Sequence, residues 1–422
     1  MKKILICIVG LLCFYTFVAN ASEWRFPGEF EEQEAVWVGW LSKEYIAGYH
    51  TDNVMLPIVQ ALIKHVDVVI GLPDVESEKH VRKILSDAKV EQSRISFFIT
   101  PFTVPYWRDY GPIFLKNDKG NLKIADFCFN MWGYYPIEDL QSRFHEKIDR
   151  NIADSMELDY EMTRVVSEGG DRILNGRGIL IVVEACEFQR NPNMSHEELE
   201  EEYKRILGVS KVIWLKQGTY DDDSYNQSVL PGPDGKGVAY RSASANNHAD
   251  EFCRFVDANT ILLAEVSEED ASSDPIAAEN RRRMEANYEI LKNATDQNGK
   301  PFRIVRIPMP ETIYFTAKPT DEVYVSLFSS AQYTDGTCFP LGKPVQVVPA
   351  TSYCNFLISN GIVLAQKYWE PGMPVSIRQK DEDAKKVLQK LFPNREVVTI
   401  TTTALNFGGG GIHCATQQQP KK

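Results

Sequence analysis

Cys414 follows Gly408-Gly409-Gly410-Gly411-Ile412-His413, close to the end of a 422-residue chain. Chain ends usually fray and tolerate change. A glycine run that lets the backbone bend and a ligand approach closely, followed at once by a thiol, therefore reads as a nucleophile delivered to a pocket. His413 is its neighbour, but adjacent residues of an extended segment face opposite ways, so His413 is read as a backbone-shaping or core residue. His248, in His248-Ala249-Asp250-Glu251, is the candidate partner, because in an extended segment its ring and the Asp250 carboxylate share a face. Two more acids, in Tyr106-Trp107-Arg108-Asp109-Tyr110-Gly111-Pro112 and Glu168-Gly169-Gly170-Asp171, sit where apolar strands end. Taken alone, Asp109 and Glu168 read at least as well as turn carboxylates. A Cys/His pair with several carboxylates suits a protease, a transferase or a hydrolase of C–N bonds. Three acids at three strand ends suit a guanidinium, which is planar, multi-donor and best held by two carboxylates. The aromatic neighbours of Asp109, Trp107 among them, suit a pocket for a cation.

Residues so far apart need a frame that brings strand ends together. Apolar periodicity predicts strands at 35–40, 66–72, 95–99, 113–115, 122–127, 164–166, 178–183, 211–215, 261–266, 302–307 and 322–327, and a pair within 353–365 around Asn360-Gly361. It predicts helices at 53–65, 76–88, 137–152, 197–207, 275–291 and 381–392. Ser195 with Glu198 forms a capping box for the fourth of these, and Gly208 stands where it should end. The elements fall into roughly five blocks of paired strands, helix and strand, about 80 residues each. No Pro/Gly/Ser linker separates them, so 22–422 reads as one domain. The stretch 218–247 reads as a structureless loop, and such loops are usually functional or disordered.

Residues 1–21 carry Lys2 and Lys3, an apolar run and Ala19-Asn20-Ala21, the order of a secretory signal peptide. The expectation is an exported protein, periplasmic or secreted, that no longer engages the membrane once the signal is removed. The formal charge is −12, and loss of the two leader lysines leaves −14. A surface this acidic repels phosphate backbones and attracts cations, which argues against a nucleic-acid partner. Six cysteines remain after residue 21, scattered without metal-ligand spacing. Most have apolar neighbours, as in Phe127-Cys128-Phe129, and read as free buried thiols.

The clusters, taken together, resemble those of the agmatine deiminase family, with its bacterial peptidylarginine deiminase relatives, among the guanidino-group-modifying enzymes. The matching stretches are Trp107-Arg108-Asp109-Tyr110-Gly111-Pro112, Phe129-Asn130-Met131-Trp132-Gly133, Glu168-Gly169-Gly170, His248-Ala249-Asp250-Glu251, Pro349-Ala350-Thr351-Ser352-Tyr353-Cys354-Asn355-Phe356 and the terminal Gly408 to Pro420 run. They occur in the family's order across nearly the whole chain. The resemblance implies a five-bladed α/β propeller of pseudo-symmetric blocks. It implies Cys414 as nucleophile, His248 as general acid then base, Glu168 orienting His248, and Asp109 and Asp250 clamping a guanidinium; Trp107, an aromatic neighbour of Asp109, is expected in the substrate pocket. No cofactor and no metal are implied. The substrate class is a cationic guanidino small molecule or an arginine-containing peptide. Agmatine is favoured because Phe129-Asn130-Met131-Trp132-Gly133 lacks the arginines that peptidylarginine relatives carry after the corresponding asparagine. Peptidylarginine or free arginine is the alternative, with Arg172 or Arg241 to meet the carboxylate. A non-catalytic polyamine-binding propeller is a third reading, and a homo-oligomer stays open. The chain departs from the family at Tyr106, where a tryptophan is usual, at Asp171-Arg172, and in the length of 218–247.

Overall fold

The apolar runs assemble into one ladder that recurs. The computed structural model describes residues 23–101, 103–224, 229–330, 336 and 338–422; the expected signal peptide lies outside them. In each ladder a first strand pairs antiparallel with a second, and the second pairs parallel with a third. Parallel neighbours cannot be joined by a tight turn, so each third strand is reached through one or two helices. Ile113–Asn117, Leu122–Cys128 and Tyr160–Val166 make one ladder. Ile173–Leu174, Ile179–Val183 and Lys211–Leu215 make another. The next are Cys253–Asp257, Thr260–Glu265 and Arg303–Pro308, then Leu357–Ser359, Ile362–Lys367 and Glu396–Thr401. In the fifth, Gln33–Gly39 is the middle strand and Asp67–Leu72 the third, while the first strand is Thr416–Pro420 from the far end of the chain. The fold is thus mixed α/β, and its last strand is locked against nearly its first.

Middle strands such as Ile179–Val183 are buried along their whole length, as expected where helices cover a partly parallel sheet. Their helices follow the sequence pattern closely. His196–Leu207 has the capping box at Ser195 and ends on Gly208 at φ +66°, a left-handed conformation that glycine adopts without penalty. Val375–Leu391 starts six residues before the expected 381 and buries Ile377, Ala384 and Leu388 on one face. None of the six described cysteines is in a disulfide. No helix among the described residues is long and apolar enough to cross a membrane.

Several expectations are corrected. Residues 322–327 belong to the helix Glu322–Ser330, not to a strand. Val323, Tyr324 and Leu327 are buried there while Val325 and Phe328 are exposed, so a run rich in β-formers follows helical spacing once one face packs. The expected helix 137–152 is two helices, Leu140–His145 and Ile148–Ser155. The stretch 218–247 is not structureless: Val238–Arg241 pairs parallel with Val345–Val348 in a further sheet, and Tyr220–Asp222 forms a 3-10 turn.

Trp107 is a core residue. It opens the short helix Trp107–Tyr110, stacks on Trp37 with centroids 5.9 Å apart and meets Phe98 edge-on. In a helix, positions i and i+2 lie on different sides, so Trp107 and Asp109 diverge. The indole reaches the backbone of two strands so closely that a β-carbon at Gly71 would lie 2.0 Å from its ring. Gly71→Ala should therefore overpack this cluster and destabilise the fold by about 1–3 kcal/mol, read as a lower urea midpoint at unchanged slope.

Candidate functional site

Each candidate residue sits on the short connection just before the first strand of a ladder. Asp109 precedes Ile113–Asn117, Glu168 precedes Ile173–Leu174, His248 and Asp250 precede Cys253–Asp257, and Cys414 precedes Thr416–Pro420. Asn355 holds the same place before Leu357–Ser359. Backbone hydrogen bonds tie these connections to one another: Arg108 N–H donates to Cys414 O, Asp250 N–H to Gly170 O and His413 N–H to Asn355 O. Five copies of one local structure thereby bring together residues more than 300 positions apart in sequence, such as Asp109 and Cys414.

The local conformations differ from the extended segments assumed from sequence. Ala249–Glu251 is a 3-10 turn, and His413 and Cys414 lie in a turn ahead of the last strand. The convergence is nevertheless close. A β-carbon at Gly170 would sit 2.5 Å from His248 Nδ1, 2.9 Å from Asp109 Oδ1 and 3.1 Å from Asp250 Oδ1, so only a glycine lets these groups share the space. At Gly410, likewise, a β-carbon would come within 2.9 Å of both the Cys414 Cβ and the Tyr106 ring. Every member is buried, His248, Glu168 and Asp250 completely.

His248 lies between acids. Its Nε2 is 3.3 Å from Glu168 Oε2 and its Nδ1 is 3.8 Å from Asp109 Oδ1. Burial alone would lower its pKa, but Asp109, Glu168 and Asp250 outweigh that and raise it to about 10. Glu168 is held in turn by Arg190, whose Nε donates to both carboxylate oxygens at 2.9 and 3.1 Å. Burial pushes Glu168 up, yet Arg190 and His248 bring it down to about 2. The segment entering His248 is fixed by Asp222, whose carboxylate accepts from the N–H groups of Ala245, Asn247 and His248.

Asp109 accepts from Gly170 N–H at 2.9 Å and from Trp132 Nε1 at 2.8 Å. Trp132, not Trp107, is therefore the tryptophan in contact with this carboxylate. Met131 and Trp132 take φ values of +55° and +56°, a conformation rare for side chains of this size. Burial and the neighbouring Asp250 and Glu168 raise the Asp109 pKa to about 6, against the opposing pull of His248.

Asp250 has one oxygen engaged and one not. Oδ2 is 2.6 Å from His413 Nδ1, while Oδ1 has no hydrogen-bond partner in the protein and points into the space beside Gly170. His413 Nε2 continues the chain to Glu29 at 2.9 Å, and Glu29 pairs with Arg254 at 2.6 Å. Burial and then Arg108 and Arg254 lower the His413 pKa. His413 thus acts on the site through Asp250 and not on the thiol beside it in sequence.

The Cys414 Sγ accepts from Asn355 Nδ2 at 3.0 Å and lies 3.5 Å from Asp250 Oδ2 and 3.8 Å from Glu251 Oε1. Asn355 Oδ1 also takes the His413 and Cys414 N–H groups. Burial, then Asp250, Glu251 and Asp109, push the thiol pKa well above its ordinary value. A cation placed among these acids reverses that effect and favours the thiolate. Asn355, Glu251, Arg190, Trp132 and Asp222 were not assigned roles from sequence. Asn355 was findable, since it occupies in one block the position that the other four fill with chemistry-bearing residues.

Among the described residues three sets of side chains have ligand atoms near enough for a metal ion: Glu168 with Cys186 and His248, Asp250 with Glu251 and Cys414, and Asp171 with Cys186 and Glu187. In the first, Arg190 and protonated His248 already supply the positive charge. The second is the thiol site itself, so a thiophilic cation there would compete with any cationic substrate. A cleft of about 260 Å³ lined by Asp221, Asp270 and Asp274 contains none of the candidate residues.

The profile of the Porphyromonas-type peptidyl-arginine deiminase family matches residues 25–229 and 235–420. Agmatine deiminase of Pseudomonas aeruginosa is 29% identical over 418 residues, covering 96% of this chain and 98% of that protein. Agmatine deiminase of Pseudomonas putida is 29% identical over 409 residues, covering 95% and 96%. The fold is similar to that of the solved agmatine deiminase of Enterococcus faecalis, with a TM-score of 0.71 at 23% identity over 94% of this chain and 96% of that one.

The electrostatics make Cys414 a sluggish thiol until a cation arrives. Its alkylation by iodoacetamide, followed by mass spectrometry, should be slow at pH 8 and should keep rising above pH 9. Asp109→Asn removes one of the charges that raise the thiol pKa and should speed alkylation at pH 8 several-fold; an unchanged or slower rate would contradict this account.

Proposed function

The chain belongs to the Porphyromonas-type peptidyl-arginine deiminase family, and from that premise we propose that it hydrolyses a guanidinium C–N bond, with agmatine as substrate and N-carbamoylputrescine and ammonia as products. The observation that carries this reading is the buried ring of acids around Gly170, with an imidazolium on one side and a thiol on the other. A guanidinium set there places its N–H groups against Asp109 and the free Oδ1 of Asp250, which accept in the bidentate manner that suits its plane. Its charge lowers the thiol pKa as it binds, so the substrate helps to make its own nucleophile.

The Cys414 sulfur then bonds to the guanidinium carbon, and His248, protonated at neutral pH, gives its proton to the departing nitrogen, which leaves as ammonia. Neutral His248 takes a proton from water as the water oxygen bonds to the same carbon. The C–S bond breaks, the thiolate is restored and the product is a urea. Glu168 and Arg190 are positioning residues, since they hold the His248 ring and touch no substrate atom. Burial of the whole cluster strengthens each of these electrostatic contacts relative to water.

Agmatine is supported over arginine by the relatives' names and by the two arginines proposed for a substrate carboxylate. Arg172 donates to Ser167 O and lies 4.2 Å over the Phe127 ring, and Arg241 donates to Tyr220 O at 2.7 Å. The five recurring ladders, with the last strand Thr416–Pro420 paired to Gln33–Gly39 near the start of the described chain, support a closed five-bladed α/β propeller whose axis passes the site. The leader pattern of residues 1–21 supports export to the periplasm or beyond.

Ammonia release from agmatine, free arginine and peptides ending in arginine measures the reading. Agmatine should be turned over fastest, and Cys414→Ala should lose at least about 10³-fold in kcat. No ammonia from any of the three substrates would refute deimination, and an active Cys414→Ala would refute the covalent route. kcat/KM for agmatine should be bell-shaped in pH. It rises as Asp109 ionises near pH 6 and falls as His248 loses its proton near pH 10. His248→Asn should abolish the alkaline limb along with most of the activity.

A further inference from the structure

On the far side of His413 from Asp250 lies a cavity of about 30 Å³, lined by Arg108, Arg172, Arg254, Glu29, His413 and Gln418 among others. Three guanidinium groups thus face one carboxylate. Glu29 is already shared: it pairs with Arg254 at 2.6 Å and His413 at 2.9 Å, and reaches Arg108 Nη2 only at 3.9 Å. Arg172 makes no ion pair among the described residues. Its polar contact is the Ser167 carbonyl, and the Phe127 ring covers one face. Both Arg108 Nη2 and Arg172 Nη2 are buried without a hydrogen-bond acceptor in the protein, and both residues are at most 5% exposed.

A buried cation is stable only when paired or otherwise compensated, and unsatisfied buried donors are uncommon. Two such donors on arginines bordering one small cavity point to a ligand that is negatively charged and accepts from several directions. The volume sets its size, because roughly 10–15 Å³ of such space holds one water molecule. A carboxylate ligand with a carbon tail, a sulfate or a phosphate is too large. We infer that the cavity is a binding site for one small monovalent anion of halide size, held by Arg108 Nη2 and Arg172 Nη2.

The site is separate from the reaction centre yet adjoins the chain that ends at Asp250. Arg108 also gives its Nη1 to Gln417 and Gln418 at 2.6 Å each, so an anion here completes the clamp that holds the last strand and, ahead of it, Cys414. Its absence of contact with Asp109, His248 or the thiol makes it structural in effect, and it is independent of which guanidino compound is the substrate.

Anomalous diffraction from crystals of the full chain soaked in sodium bromide tests the site directly. The expected result is a bromide peak in contact with both Nη2 atoms, and density for water alone would overturn the inference. In solution, the melting temperature should rise with chloride or bromide relative to gluconate at equal ionic strength, by the amount that binding to the folded state alone requires. Arg172→Gln should abolish both the halide-dependent rise and the bromide peak. A rise that persists in Arg172→Gln, or no difference between chloride and gluconate in the wild type, would also overturn it. Should Arg172→Gln fail to fold, the wild-type bromide map decides.

Discussion

The site depends on burying charge without leaving it uncompensated. His248 is a completely buried ring, and it can stay protonated there only because Glu168 and Asp109 flank it. Glu168 stays ionised because Arg190 clamps it and His248 faces it. Desolvation of any one of these groups alone would cost several kcal/mol, so each fixes the identity of the next. The second chain, from Arg254 through Glu29 and His413 to Asp250, obeys the same constraint on the other side of the thiol. Between the two chains sits the one carboxylate oxygen of the set with no partner, Asp250 Oδ1, and beside it the thiol.

That pattern explains why the glycines matter more than their bulk suggests. Gly170 stands where three polar groups approach a single Cα, and Gly409 adopts φ +97° to carry the chain toward Cys414. Close approach of backbone is what lets charged groups share a volume too small for another side chain. The strained dihedrals at Met131 and Trp132 belong to the same economy of space, since they turn the Trp132 indole onto Asp109. Strain of this kind persists only where surrounding packing over-determines it.

Much of the fold was legible because local periodicity reports local structure. The capping box at Ser195, the stop at Gly208 and the turn at Asn360-Gly361 all occur where the residue types place them. The failures were of two kinds. The segment 322–327 is rich in residues that favour strands, yet its partners bury a helical face, and tertiary packing outweighs propensity of that size. Trp107 was placed in the pocket by its proximity to Asp109, but two residues along a helical turn point apart, and the ring fills the core against Trp37 instead.

Residue types and their order along the chain determined the chemistry: a thiol after glycines, a histidine with a neighbouring acid, further acids at strand ends, and five similar blocks. Those features are legible in one dimension because reactivity belongs to side-chain type, and because strand and helix periods are written in consecutive residues. Which groups meet was decided only by the tertiary structure. That Asn355 holds the sulfur, that Arg190 secures Glu168, that Trp132 and not Trp107 reaches Asp109, and that His413 serves Asp250 all depend on contacts between connections distant in sequence. A side chain's charge and partners are set by what is desolvated beside it, and no one-dimensional spacing carries that information.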